Sequence, residues 1–241
     1  MLIFIFFLLK YLFPNYFNSI PKDRKRKVCL VIAHPDDEVM FFSPFLQNLS
    51  KFEVENLNVI CLTNELTVRA DELKKCLAQL LDLKSIECSV HIYDCYDSMT
   101  KSCREDYSTD EKLISKIKNL FKQNYNFYTF DEQGVSGHIN HKDCFYFLFE
   151  LLGQLRSKSE IQNRHESFTV SRLYKLKSCN IFKKYFLPLP NKKTEIYNTF
   201  SQWRNAYKAF RIGHKSQIRW YRHFWFYFSR YLFCLDFERV Y

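Results

Sequence analysis

Five consecutive residues read His34, Pro35, Asp36, Asp37 and Glu38, and a second cluster, "GHINH", carries His138 and His141 at i and i+3. A catalytic zinc takes three protein ligands of nitrogen and oxygen type and keeps one position open for water. His34, one of the two aspartates and one of the two later histidines would make that set. The bound water is acidified to near neutrality, and a neighbouring carboxylate can take its proton. The remaining histidine can hydrogen-bond a developing oxyanion or protonate a leaving amine. The same ligands suit non-haem Fe(II). A plainer reading makes "HPDDE" a helix start, where an aspartate satisfies free N–H groups and complements the dipole. That accounts for one aspartate but not for His34 beside two. The plainer reading of "HINH" is a polar loop that opens a helix.

Elements that bring such residues together are legible. Apolar runs at 28–33, 57–63, 88–94 and 126–131 read as buried strands. Helical patterns lie between them, at 38–50, 69–83 and 109–123. Leu73, Leu77, Leu80 and Leu81 share a face of the second helix. Leu113, Ile114, Ile117 and Leu120 form the stripe of the third, with Thr109 as its expected N-cap. A further helix is expected from about 140 to 156 and one more strand at 168–176, with a polar loop, "SKSEIQNRHES", between them. Alternating strands and helices with near-continuous apolar strands predict a Rossmann-like α/β fold, a parallel sheet in three layers. Ligands in such sheets bind beyond the carboxyl ends of the strands. All four strands end on polar groups: "HPDDE", Thr63-Asn64, Asp94 with Asp97 nearby, and "DEQGVSGHINH".

With 241 residues and 47% hydrophobic content, the chain suits one domain, 28–241. The net charge of +10 points to an anionic partner. No nucleic-acid-binding signature accompanies it, so a membrane surface or acidic substrate is preferred. Nine cysteines without a CxxC pair read as reduced thiols on the cytosolic side. Residues 1–20 are nearly all apolar, close to the roughly 20 residues a spanning helix needs. The basic flank at 21–27, "PKDRKRK", follows at once. This order predicts a membrane anchor with the catalytic part in the cytosol. The C-terminal "GHKSQIRWYRHFWFYFSRYLFCLDF" is dense in aromatics and arginines. It reads as a helix packed on the core or as a surface close to a membrane.

Four stretches, in order, resemble one known family: "AHPDDE" (33–38), "TFDEQGVSGHINH" (129–141), "RLYKLKSCNIFKKY" (172–185) and "HKSQIRWYRHFWFYFSRY" (214–231). That family is the N-acetylglucosaminyl-phosphatidylinositol de-N-acetylases of glycosylphosphatidylinositol anchor synthesis. The first motif alone belongs to a broader superfamily of zinc-dependent deacetylases; the others are more specific. The resemblance implies zinc held by His34, Asp37 and His141, with Asp36 as general base. His138 would be the positive group facing the tetrahedral intermediate. It matches Gly134 and Gly137 to the family's glycines. Arg69, with Asn64 and Asp97, is expected to contact substrate, with the substrate phosphate the candidate partner of Arg69. It further implies a phosphatidylinositol glycolipid substrate at the endoplasmic reticulum membrane.

One departure stands out. The family has a glycine-rich loop of the form "GNADGLG" after the second strand, where this chain reads "TNELTVRADEL". The other readings are a deacetylase of another N-acetylglucosamine conjugate and a non-catalytic membrane-associated binding protein.

Overall fold

The computed structural model describes residues 26–81, 86–98, 100–162, 171–185 and 195–240. The expected anchor at 1–20 and most of its basic flank lie outside the described residues. Among those described, no helix is long and apolar enough to cross a membrane.

Five strands run parallel: β1 (Arg26–Ile32), β2 (Val54–Cys61), β3 (Glu87–Ile92), β4 (Asn126–Phe130) and β5 (Leu173–Leu176). Their registers follow the apolar runs, with Val28 opposite Leu57 on one side and Asn126 on the other. β1 is central and buried from Val28 onward. That is why it lacks the alternation of a one-sided strand. The expectation of a purely parallel sheet needs correction. β6 (Glu195–Tyr197) and β7 (Cys234–Arg239) close one edge antiparallel, in the order β3-β2-β1-β4-β5-β7-β6. β6 is only three residues long, and β7 lies in the aromatic C-terminal region, where period-two alternation is hard to see.

The helix expected at 38–50 is broken into α1 (Asp37–Met40), α2 (Ser43–Leu46) and a 3-10 turn, Leu49–Phe52. α3 (Val68–Leu80) starts on Thr67, whose hydroxyl accepts from the Arg69 N–H. Thr109 is not an N-cap. It ends the short α4 (Arg104–Thr109), and Asp110 instead caps α5 (Glu111–Lys122) by accepting from Leu113 N–H. α6 (Ile139–Gln162) extends through much of the stretch expected as a polar loop. A charged, Ser-rich surface sequence without Gly or Pro does not stop a helix.

α7 (Ile181–Tyr185), α8 (Phe200–Gly213) and α9 (Trp220–Phe228) complete the chain. α8 opens on a capping box: Thr199 Oγ1 accepts from Gln202 N–H while Gln202 Oε1 accepts from Thr199 N–H. α8 packs against α3 so closely that a Cβ on Gly213 would stand 2.6 Å from Cys76 Cβ. From β1 the strands proceed outward to β2 and β3; from β4 they proceed the other way. The switch point of the sheet is therefore the gap between the carboxyl ends of β1 and β4, where open α/β sheets bind ligands.

Candidate active site

The two histidine clusters meet at that switch point. Beyond Ile32 the chain turns sharply, and the Asp37 carboxylate folds back onto it. Asp37 Oδ2 accepts from the Ala33 and His34 N–H groups at 3.1 and 2.8 Å. Its Oδ1 lies 3.2 Å from His141 Nε2, and Oδ2 lies 3.7 Å from His34 Nδ1. Asp37 is buried, and burial alone would raise its carboxyl pKa. His141 and His34 outweigh that and hold it well below the usual range. Burial also opposes charge on His34, but Asp37 and Asp97 overcome it and push His34 up to about 10. Metal-binding nitrogen and oxygen atoms thus converge on one buried point. One nitrogen from each of His34, His138 and His141 lies within 4.8 Å of the others. Two imidazoles and a carboxylate suit a divalent metal with an open position.

Each ligand candidate is oriented by a partner. His34 Nε2 lies 3.1 Å from Asp97 Oδ1 and 3.2 Å from Asn140 Nδ2, and Asn140 donates to the same Asp97 oxygen at 2.8 Å. His141 Nδ1 lies 3.1 Å from Gly134 O, while its ring stacks on Phe130 at 4.0 Å. Such fixed second partners set the tautomer and ring angle of a metal-binding histidine. The i, i+3 spacing of His138 and His141, which would put both on one face of a helix, is not used that way. His138 is extended, and the helix begins after it, at Ile139. The two rings nevertheless lie 5.1 Å apart. Burial first, then His34 and His141, pull the His138 pKa down to about 4, so the ring stands neutral near pH 7. Its Nδ1 accepts from Asn140 N–H at 3.3 Å, which puts the proton on Nε2.

Asp36 points elsewhere. Its φ of 130° is a strained backbone for a non-glycine residue. The strain is held by Glu38, whose Oε2 accepts from Asp36 N–H at 3.0 Å. Glu38 is in turn held by His214, Nε2 to Oε1, at 2.5 Å, both fully buried. Two arginines grip Asp36 Oδ2: Arg69 at 3.3 Å and Arg222 in a short ion pair. Asp36 Oδ1 has no partner among the described residues. Arg69, expected to reach substrate phosphate, also donates to Pro35 O at 2.7 Å, so it braces the "HPDD" turn. Asn64 lies at the rim with φ 70° and donates to Thr63 Oγ1. Asp94 is exposed and takes no part.

The loop before His138 is pinned from below. Asp131 accepts from Ser178 N–H and Oγ at 2.6 Å each, and Ser178 Oγ accepts from Val135 N–H. Gly134 takes φ 67°, a backbone strained for any residue with a Cβ, and the space is tight: a Cβ would stand 3.1 Å from His141 Cβ.

Arg222, Asn140, His214 and Ser178 were the working residues not assigned from the sequence. All four lie in stretches singled out for their resemblance, "TFDEQGVSGHINH", "RLYKLKSCNIFKKY" and "HKSQIRWYRHFWFYFSRY", yet nothing in spacing tells which partners their side chains meet. The structure gives "HKSQ" its reason. His214 closes on Glu38, and Ser216 donates from N and Oγ to Glu72 at 2.7 and 2.6 Å.

Known proteins share this arrangement of sequence and fold. The PIG-L family model, GlcNAc-PI de-N-acetylase, matches residues 29–152. The N-acetylglucosaminyl-phosphatidylinositol de-N-acetylase of Saccharomyces cerevisiae is 31% identical, over 95% of this chain and 84% of its own. The Bos taurus protein of the same name is 29% identical, over 86% of this chain and 80% of its own. Among solved structures, N,N'-diacetylchitobiose deacetylase from Pyrococcus horikoshii aligns with a TM-score of 0.58 at 17% identity, covering 97% of this chain and 91% of its own. At that identity the likeness is one of fold. With half its length matched by the family model and nearly all of it aligned to the yeast relative, the chain belongs to the PIG-L family of GlcNAc-PI de-N-acetylases.

Proposed function

We infer that the protein hydrolyses the acetamide of N-acetylglucosaminyl-phosphatidylinositol, releasing acetate and leaving a free amine, an early step of glycosylphosphatidylinositol anchor synthesis. The observation that carries this is the convergence of His34, Asp37 and His141 beside a strained, doubly gripped Asp36, in a chain of this family. His34, Asp37 and His141 would hold the metal, for which zinc is the reading and Fe(II) shares the ligand set. When bound, the metal acidifies water and polarises the amide carbonyl.

This chain's own residues do the rest. Asp36 Oδ1 takes a proton from the attacking water, while Arg69 and Arg222 fix the carboxylate through Oδ2. His138 donates its Nε2–H to the amide oxygen as negative charge builds there. The resemblance implies a positively charged His138 in this role. Asp36 then returns its proton to the departing amine nitrogen.

The lipid substrate, membrane attachment and placement at the endoplasmic reticulum with the site in the cytosol are supported by the apolar start, its basic flank and the +10 charge. The test compares acetate release from the glycolipid in vesicles with release from soluble N,N'-diacetylchitobiose. Selective release from the glycolipid is expected; equal or greater release from the soluble sugar would contradict the lipid reading. Protease protection of sealed microsomes tests topology: digestion of the catalytic domain from outside is expected, full protection is not.

A further inference from the structure

One face of α9 is covered by nothing in the described residues. Trp220, Tyr221, Phe224 and Phe228 recur at i, i+1, i+4 and i+8, and lie exposed, Trp220 by 75% and Phe224 by 57%. Successive rings touch: Trp220 to Phe224 at 5.9 Å, Phe224 to Phe228 at 6.1 Å. The opposite face carries the fully buried Phe226, so the exposed stripe is not a helix awaiting a core. α7 packs beside it, with Lys184 Nζ 4.7 Å from the Trp225 ring, and adds an Ile181 exposed by 75%. A stripe this long and aromatic on a water-facing helix marks an interaction surface.

We propose that the aromatic stripe of α9, with α7 beside it, seats the enzyme in the interfacial layer of an anionic lipid bilayer and opens the active site toward it. The proposal rests on the glycolipid reading above. Charge selects the occupant. From Arg172 to Leu235 the chain carries 14 Lys and Arg against one acidic residue, Glu195; Lys175, Lys177, Arg222 and Arg230 of these meet acids from outside the span, and Lys184 is buried. Arg219 and Lys215 are exposed at the α9 end of this region. The apolar residues 1–20 contain no acidic group to complement that charge, and a second copy would bring the same +10. Anionic headgroups supply both needs, negative charge above and hydrocarbon below, and Trp and Tyr favour that boundary.

The position also fits the reaction. A cavity of about 480 Å³ is lined by Phe224, Phe228 and Tyr221 from the stripe and by Met40 and Arg222. Arg222 is the residue that grips Asp36. A sugar at Asp36 would therefore hold its phosphate and lipid portion over α9, with the acyl chains still in the bilayer.

The test uses the full chain in vesicles of phosphatidylcholine with about 20% phosphatidylinositol, a composition chosen to give an anionic surface. Tryptophan emission is measured with and without bromine on the acyl chains, in wild type and in Trp220→Phe. Strong quenching in wild type, mostly lost in Trp220→Phe, is expected. Emission from Trp220 untouched by bromine overturns the proposal. Shielding from aqueous acrylamide would then assign the stripe to residues 1–20 or a second copy.

Trp220→Ser, on the stripe but outside the cavity lining, provides the functional arm. It is expected to lower kcat/KM on the vesicle-borne glycolipid about tenfold. It should leave acetate release from the headgroup sugar freed of its acyl chains within about twofold, as expected for a surface change. Equal loss on both substrates would assign Trp220 to the reaction site and overturn the docking role. A wild type that hydrolyses neither substrate fails the function reading, and the quenching result still decides the surface.

Discussion

Asp36 shows how much of a catalytic residue lies in its surroundings. A carboxylate on a tight turn has two oxygens and several rotamers, and only one arrangement presents a lone pair to water. Here two guanidiniums hold Oδ2, Glu38 holds the backbone N–H, and Oδ1 stays open. Replacing Arg222 by Ala removes half of that grip without touching any metal-ligand candidate. It is expected to lower kcat about tenfold through misplacement of the base, with metal content unchanged by elemental analysis. Lost metal would place Arg222 in the metal site instead. At this scale the sequence was informative about chemistry and silent about pairing. Residue types in "HPDDE" and "GHINH" announced a metal and a base because few other folds need them so placed. The charge partner of Asp36 could not be read, since Arg222 is far along the chain and only the packing of α9 brings it back. For the same reason the grip of Arg69 on Asp36 could not be read: an arginine near a rim has the same sequence signature whether it meets a phosphate or a carboxylate.

Elements turn these pairings into geometry. α8 ends where His214 reaches Glu38, and Gly213 makes that approach possible by lying against Cys76 on α3. Gly213→Ala should push α8 away from α3 and cost about 1–3 kcal/mol, several degrees of Tm by calorimetry; an unchanged Tm would mean the helices yield freely. The His214 link is also pH-sensitive. Burial opposes its charge, but Glu38 first, then Asp36 and Glu72, raise its pKa above the ordinary value. A histidine near 6.5 when unfolded and higher when folded stabilises fully below about pH 6.5. That contribution fades as pH rises through the folded value. The unfolding free-energy difference between wild type and His214→Gln should therefore be flat in mild acid and shrink with rising pH. A difference that grows with pH would contradict the charged pairing. Long periodic helices such as α3 and α5 were legible, because their leucine stripes follow the helical period and end up buried. The broken helix after Asp37 and the cap at Asp110 were not. There, local hydrogen bonds and the need to bend around the site override propensity.

The whole molecule orders its charge as it orders its strands. The topology sends the ends of β1 and β4 to one gap, so two clusters far apart in sequence meet without any long loop. Parallel β1 to β4 could be read from their apolar runs, and with them the shared rim. The antiparallel edge of β6 and β7 could not, since β6 is only three residues long and β7 follows aromatics that read equally as helix. Those aromatics divide in the structure: Phe226, Tyr231 and Phe233 fill the core, while the α9 stripe faces outward. That division carries the docking proposal, and it gives the excess of basic residues a place to act.

The most direct test of the central claim, that the switch point unites a metal site with a separate base, is acetate release set against metal content. Wild type, Asp36→Asn and His141→Ala would be assayed on the glycolipid in vesicles, before and after chelation and zinc restoration. Wild type should lose activity with its metal and regain it with zinc. Asp36→Asn should keep its metal and lose about 10²–10⁴-fold in rate, the usual contribution of a general base, and His141→Ala should lose metal and activity together. Asp36→Asn retaining near-wild-type rate, or activity indifferent to chelation, would contradict the account.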